Sequence, residues 1–164
     1  MEQETVFMDM ALRLAERAAK REETPIGCVI VFDGPGRLQG RVIGKGLNRR
    51  NARGSVLEHA EIMAIRQASR RLRDWRLEDC TLYVTLEPCP MCAGAIVQAR
   101  IPRVVIGAMN PKAGCAGSVT DLLREPRFNH QCEVTAGVRG EESRALLQRF
   151  FRSLREKGSG RRQM

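Results

Sequence analysis

Two short motifs constrain the fold of this chain more than any other feature. His59-Ala60-Glu61 stands at the predicted start of one helix, and Pro88-Cys89-Pro90-Met91-Cys92 stands at the predicted start of another. Cys89 and Cys92 are three positions apart, so on a helix their thiols lie on nearly the same side and can both reach one ion. A helix amino terminus also lowers the pKa of a thiol, which supplies the thiolates that a metal needs. We therefore expect the fold to bring these two helix starts together.

The spacing of His59 and Glu61 indicates where on the helix they lie. Successive helix positions differ by about 100°, so the two side chains would point about 200° apart inside a regular helix. They can converge on one site only at the first turn, with the histidine on the metal and the glutamate beside it, unligated. Three protein ligands leave the fourth position of a tetrahedral zinc ion to water, which distinguishes catalytic from structural zinc sites.

Other interpretations of the cysteines remain open from the residues alone. A Cys-x-x-Cys pair between a strand and a helix is also typical of thioredoxin-like redox proteins. A structural zinc knuckle would need a fourth ligand, and the chain has only two histidines. His130 lies in a turn-like segment, where we expect a local hydrogen bond instead. The remaining cysteines are expected to be small buried residues, although one of them could be a further ligand: Cys28, Cys80, Cys115 and Cys132.

The hydrophobic pattern predicts alternating helices and strands. The predicted helices are Thr5–Lys20, about Glu58 to Leu72, Cys89–Gln98 and Glu141–Arg155, and the predicted strands are Ile26–Phe32, Arg41–Gly46, Thr81–Leu86, Arg103–Gly107 and Glu133–Ala136. Such alternation is typical of an α/β domain in which helices cover a largely buried sheet. We expect one domain over residues 1–156, followed by a flexible basic tail at 157–164.

Charge and hydropathy bear on partners and location. The chain of 164 residues carries a formal net charge of +9, which favours a polyanionic partner such as nucleic acid, unless the arginines merely form a solvated surface. Its longest apolar run, Ile26–Phe32, is far shorter than the roughly 20 residues that span a bilayer. The amino terminus lacks the basic start and apolar core of a secretory signal. These features predict a cytoplasmic protein that does not enter a membrane.

His-x-Glu followed by Pro-Cys-x-x-Cys resembles the signature of zinc-dependent nucleobase deaminases. The resemblance to bacterial tRNA adenosine deaminases is closer still and covers all but the first few residues and the tail. It rests on Glu23-Thr24-Pro25-Ile26-Gly27, Gly46-Leu47-Asn48-Arg49, His59-Ala60-Glu61-Ile62-Met63-Ala64, Thr85-Leu86-Glu87-Pro88-Cys89, Met91-Cys92-Ala93-Gly94-Ala95, Lys112-Ala113-Gly114, Gly117-Ser118, Asn129-His130 and Phe150-Phe151-Arg152.

This resemblance implies a fold, a cofactor and an activity. The fold would be a three-layer cytidine deaminase-like α/β domain with a five-stranded mixed sheet flanked by helices, usually as a homodimer. His59, Cys89 and Cys92 would hold one Zn²⁺, and Glu61 would be the catalytic proton shuttle. The reaction would be hydrolytic deamination of adenosine to inosine at the wobble position of a tRNA anticodon.

The resemblance also implies substrate contacts. Asn48 would bind the base by a hydrogen bond and the Ala60 backbone would lie against its edge, with apolar pocket walls from Ile26, Leu86 and Ala108. The loop with Asn110 and Lys112 and the last helix with Arg149, Arg152 and Arg155 would contact RNA. Simpler roles stay open: core packing for the apolar residues, a turn for Asn48, and a solvated helix face for Arg66, Arg70, Arg71, Arg73 and Arg76.

Asn110 departs from the pattern of tRNA deaminases, which commonly carry aspartate there. An aspartate can accept a hydrogen bond from a ribose 2′-hydroxyl, whereas asparagine is neutral and both donates and accepts. Because the 2′-hydroxyl distinguishes RNA from DNA, one hypothesis is that this chain discriminates less strictly against deoxyadenosine. The other is that Asn110 only shapes the turn before Pro111.

Three rival functions remain after the sequence is read. A deaminase of free guanine, cytosine or a nucleotide would use the same metal site on a different amine. A noncatalytic RNA-binding module stabilised by zinc would have no use for Glu61. A redox protein would use Cys89 and Cys92 and leave the His-x-Glu motif unexplained.

Overall fold

A computed structural model describes the backbone of residues 1–162 and the side chains of residues 1–158. The helices are α1 Glu2–Lys20, α2 Arg50–Arg53, α3 Ala60–Leu72, α4 Pro90–Gln98 and α5 Gly140–Arg162, and the strands are β1 Gly27–Phe32, β2 Arg41–Leu47, β3 Cys80–Leu86, β4 Arg103–Ala108 and β5 Glu133–Ala136. In the described part of the chain, no helix is both long and apolar enough to cross a membrane.

The five strands form one mixed sheet in the order β2-β1-β3-β4-β5. β1 runs antiparallel to both β2 and β3, whereas β3, β4 and β5 run parallel. The parallel pairs follow from the connections: α4 carries the chain from β3 to β4, as a parallel crossover requires. The predicted α/β class and the five-stranded mixed sheet are confirmed.

Helices cover both faces of this sheet, which makes three layers. Side chains alternate across β1: Val29 and Val31 pack in the core beneath α1, while Cys28 and Ile30 pack in the core beneath α3 and α4. Because both faces are buried, β1 reads as a continuous apolar run rather than an alternating one. The metal motifs lie on α3 and α4, in the layer on the second face.

A close backbone contact sets the position of α3. A Cβ atom on Gly46 of β2 would overlap the carbonyl oxygen of Ala60, in the first turn of α3. With hydrogen alone at position 46, the helix start lies directly against the strand. This contact places His59 and Glu61 at the end of β2.

Two features differ from the sequence prediction. A one-turn helix, α2, lies within the segment expected to be a loop. Helix α5 continues to Arg162, which corrects its predicted end at Arg155. Gln163 and Met164, the end of the predicted tail at 157–164, lie outside the described residues, and the domain limit at 156 stays a prediction.

Candidate active site

The predicted metal ligands lie at the starts of two neighbouring helices. His59 is the residue before α3 and has an extended backbone, and Cys89 takes the equivalent position before α4. Pro90 opens α4, where its fixed φ suits the first helical position and its missing N–H is not needed. Cys92 then lies one turn further and is buried. The structure therefore brings the two motifs together as the sequence predicts.

The three ligand atoms have the spacing of a zinc site. Nδ1 of His59 lies 3.6 Å from the Cys89 sulfur and 3.5 Å from the Cys92 sulfur. In a tetrahedral site with Zn–N near 2.0–2.1 Å and Zn–S near 2.3 Å, such atoms would be about 3.5 Å apart. In the described part of the chain these residues form one group whose ligand atoms all lie within 4.8 Å of one another. The donor set fits Zn²⁺.

The electrostatics of the pair favour a thiolate at this position. A hydrogen bond from Cys92 lowers the pKa of Cys89 to about 4, with further help from His59. The same hydrogen bond, together with burial, raises the pKa of Cys92. The Cys89 interaction in turn raises the pKa of His59. One negative charge is thus already held beside the histidine, where a cation would be bound.

Glu61 lies next to these ligands, in the first turn of α3. Its side chain is 3% exposed, and burial raises its pKa to about 7. Among the described residues its Oε2 has no hydrogen-bond partner, although the atom is buried. A buried carboxylate oxygen without a partner is costly in a structural role. It is the arrangement expected of a group that exchanges protons with a substrate.

The sequence model of the family described as cytidine and deoxycytidylate deaminase zinc-binding region matches residues 1–108. The chain belongs to this deaminase family.

Full-length relatives and solved structures agree with the family assignment. The tRNA-specific adenosine deaminase of Bacillus subtilis strain 168 is 46% identical over 157 residues, which cover 96% of this chain and 94% of that protein. A structure from work on A-to-I editing by tRNA:A34 deaminases at the wobble position of transfer RNA has a TM-score of 0.80 at 43% identity, covering 87% of this chain and 99% of that one. The structure of guanine deaminase from Bacillus subtilis has a TM-score of 0.58 at 34% identity, covering 79% of this chain and 84% of that one.

Several of the predicted substrate residues lie at the ends of β2, β3 and β4. Asn48 follows β2, and its Oδ1 accepts a hydrogen bond from the Ala60 N–H at 3.0 Å. Its own N–H donates to the Ile26 carbonyl at 3.3 Å. Leu86 and Ala108 are paired neighbours at the ends of β3 and β4. Asn48 is thus joined to Ile26 and to the start of α3, while Leu86 and Ala108 lie together at the adjacent ends of β3 and β4.

Asn110 shapes a turn after β4. Its Oδ1 accepts hydrogen bonds from the N–H groups of Lys112 and Ala113 at 3.2 and 3.3 Å. This contact supports the turn-shaping hypothesis, while its Nδ2 has no hydrogen-bond partner among the described residues. Sugar recognition by Asn110 stays a prediction.

Glu87 is a residue of the site that the sequence analysis left without a role. Although only 2% exposed, its carboxylate accepts backbone hydrogen bonds from Asn110, Ala116 and Ser118 at 2.8–3.0 Å, and also the Ser118 hydroxyl. Burial alone would raise the pKa of Glu87, but the bonds from Ser118, Asn110 and Ala116 outweigh it and lower the pKa. Gly114 leaves the space that this carboxylate fills. Glu87 therefore fixes the loop of residues 110–118 to the end of β3.

Lys112 and Arg152 lie apart from the metal ligands and line one groove between this loop and α5. The groove has a volume of about 670 Å³. Its other cations are Arg144 and Arg155, and no acidic residue is among the described residues that line it. The exposed ring of Phe151 also lines it. Arg149, expected to contact RNA, does not line this groove.

The other cysteines are buried as expected, but the hydrogen bond of His130 is not the local one predicted, because it joins residues 29 positions apart. The His130 ring bonds the Ile101 carbonyl through Nε2 at 2.7 Å. The remaining four cysteines, Cys28, Cys80, Cys115 and Cys132, are buried and free. None of them joins the ligand group in the described part of the chain. The site thus has three protein ligands, and neither a structural knuckle with a fourth nor a redox pair explains the placement of His59 and Glu61.

Proposed function

We propose that this chain deaminates adenosine to inosine at the wobble position of a tRNA anticodon. The observation that carries the proposal is the buried, unpartnered Glu61 oxygen beside a three-ligand zinc site. Near-full-length identity of 46% to a tRNA-specific adenosine deaminase supports adenosine in tRNA as the substrate.

In this proposal, His59, Cys89 and Cys92 hold the zinc ion. When bound, zinc acts as a Lewis acid that makes water a good nucleophile near neutral pH. Glu61 accepts one proton from the water while the water oxygen forms a bond to C6 of adenine. Its raised pKa, near 7, suits a group that must take up and release a proton in each turnover.

Glu61 then acts as the acid. It delivers the proton to N1 of the base, takes the second proton from the added hydroxyl, and passes it to the amino group. The C6–N bond breaks, ammonia leaves, and a carbonyl forms at C6. One water is consumed for each ammonia released, so no redox partner is needed.

Base binding is assigned to the residues around the ligands. Asn48, whose Oδ1 is held by the Ala60 N–H, has its Nδ2 free of partners among the described residues and would donate to the base. The Ala60 backbone would lie at the base edge. Pocket walls are assigned to Ile26, Leu86 and Ala108, and sugar or turn contacts to Asn110.

RNA binding is assigned to the cationic groove. Lys112 and Arg152 would contact phosphates, because a groove without acidic residues attracts a polyanion. RNA affinity should then fall as salt rises, because protein binding releases counterions from the RNA and this release is less favourable at high salt. Replacing Arg152 and Arg155 by alanine should weaken RNA binding and leave the zinc content unchanged.

A free-base deaminase is the second candidate. The match to guanine deaminase from Bacillus subtilis favours it, because the metal chemistry is the same. A free base, however, carries no phosphate for the groove of Lys112 and Arg152 to bind. RNA affinity that does not change with salt would favour this candidate.

We also propose a cytoplasmic homodimer. Val56 and Leu57, just before His59, are 69% and 53% exposed, which is unusual for neighbouring apolar residues beside a site. A second copy that covers them would remove this apolar surface from water. Light scattering on the purified zinc-loaded protein would give the mass of the assembly.

The test compares RNA with free bases. Zinc-loaded protein is incubated with an anticodon stem-loop that has adenosine at the wobble position, and separately with guanine, cytosine and adenosine. We expect inosine from the stem-loop, and Glu61→Ala should lower the rate by about 10²–10⁴-fold while it retains zinc. Ammonia from guanine with no inosine from RNA would establish the second candidate instead.

A further inference from the structure

The short helix α2 runs beside the metal ligand His59. The Arg49 N–H donates to the Glu58 carbonyl at 3.0 Å, and the Asn48 side chain bonds the Ala60 N–H. Residues 48–50 therefore lie along residues 58–60. The first residue of α2, Arg50, is held next to the start of α3 by these contacts.

Arg50 is a cation at this position without an assigned role. Its side chain is exposed, and no acidic residue pairs with it among the described residues. Arg53 adds a second exposed cation at the end of α2, and α2 contains no acidic residue.

Glu23 fixes α2 from a different part of the chain. It precedes β1, is 2% exposed, and accepts the N–H groups of Asn51 and Ala52 at 3.2 and 2.7 Å. A helix of four residues is too short to be stable through its own hydrogen bonds. The buried carboxylate supplies acceptors for two N–H groups of the first turn, which no residue of α2 itself can do.

Helix α5 connects α2 to the cationic groove. Leu154 lines the groove of Lys112 and Arg152, and it also lines a second groove with Asn51 of α2. The groove beside α2 therefore adjoins the cationic groove at Leu154.

We propose that Arg50 binds a phosphate of the RNA next to the reacting nucleotide, and that Glu23 is the positioning residue that holds Arg50 there through α2. This inference rests on the proposed function. The guanidinium provides a planar donor set that suits a phosphate. Glu23 does not touch the RNA; its effect passes through the backbone of α2.

The test is a double-mutant cycle on the zinc-loaded protein with the anticodon stem-loop. Arg50→Ala should raise KM about tenfold, as expected for one charge-assisted hydrogen bond, with little change in kcat. It should also reduce the slope of log affinity against log salt by about one. Arg50→Lys should recover part of the loss. Arg71→Ala, at the far end of α3, is the control with one fewer exposed arginine and should behave as wild type.

Glu23→Gln should raise KM as Arg50→Ala does, with one zinc per chain retained. The double variant should be no worse than Arg50→Ala alone, because both changes remove the same contact. If the KM increases of the two single variants multiply in the double variant, Glu23 acts on stability only, and this result would overturn its positioning role. An unchanged KM and salt slope in Arg50→Ala would overturn the whole inference. Failure of the wild-type protein to form inosine would instead refute the proposed function.

Discussion

A hydrogen bond joins Asn48 to Ala60: the Asn48 Oδ1 accepts it from the Ala60 N–H at 3.0 Å. The bond joins the end of β2 to the first turn of α3, so it satisfies one of the free N–H groups of that helix. It also fixes the orientation of the amide, which leaves Nδ2 as the atom available to a ligand. A residue expected to bind substrate therefore also holds the helix start that carries Glu61.

Asn48→Ala should reduce both stability and turnover. Loss of the cap should cost about 1 kcal/mol of unfolding free energy, and loss of Nδ2 should lower kcat/KM for the stem-loop. Thermal unfolding and steady-state kinetics measure the two effects. Asn51→Ala is the matched control, because its side chain makes only a long 3.5 Å bond to the Glu22 carbonyl. Equal unfolding temperatures for the two variants would contradict the cap.

Zinc content should depend on Cys89 but not on Cys115. Cys89→Ala should lose the metal and much of the stability together, because metal binding and folding are coupled. Cys115→Ala should keep one zinc per chain, since Cys115 is outside the ligand group. Elemental analysis of both purified variants is the measurement. Zinc loss from Cys115→Ala would mean that a fourth ligand had been missed.

Glu87→Gln should loosen the loop of residues 110–118. The amide keeps the size of the side chain but has one acceptor oxygen, so buried N–H groups lose their partner at a cost of about 1–3 kcal/mol. Hydrogen exchange of the Asn110, Ala116 and Ser118 amides should then rise. Ser118→Ala removes only the hydroxyl contact and should have a smaller effect. Protection that persists in Glu87→Gln would show that the loop is held by other contacts.

Asn110→Asp offers a test of sugar recognition, because both side chains have the Oδ1 that forms the turn to Lys112 and Ala113. The substitution replaces the Nδ2 donor of asparagine by the Oδ2 acceptor of aspartate. If that atom faces the ribose, the variant should show a higher ratio of RNA to 2′-deoxy rates on otherwise identical stem-loops. Identical ratios would leave Asn110 with the turn alone.

The metal site could be predicted from the sequence because its information is local. Spacing on two helix starts determines where His59, Cys89 and Cys92 point, and the apolar runs identify the five strands. The contacts of Glu23 and Glu87 are not local. Each carboxylate binds backbone N–H groups at least 23 residues away, and a backbone N–H leaves no trace in the residue type. In the sequence, each is an acidic residue near the end of an apolar strand, and its backbone partners cannot be read from that position.

The sequence did not predict α2 or the last residues of α5, because neither segment shows the apolar period that marks a helix. Helix α2 has no buried residue, so no apolar period marks it; its stability comes from Glu23. In α5, residues 156–158 beyond the predicted end are exposed and include Gly158, a residue that disfavours helix. Here the sequence predicted a break where the structure continues.

The contact of Gly46 with the Ala60 carbonyl has a consequence for how this domain can acquire new substrates. Backbone meets backbone there, so a larger residue at position 46 would displace α3 and with it His59 and Glu61, away from the cysteines of α4. Segments 49–53 and 110–118, by contrast, are each tethered by one acidic side chain, so substitutions in them can alter a loop surface while this helix–strand contact stays in place.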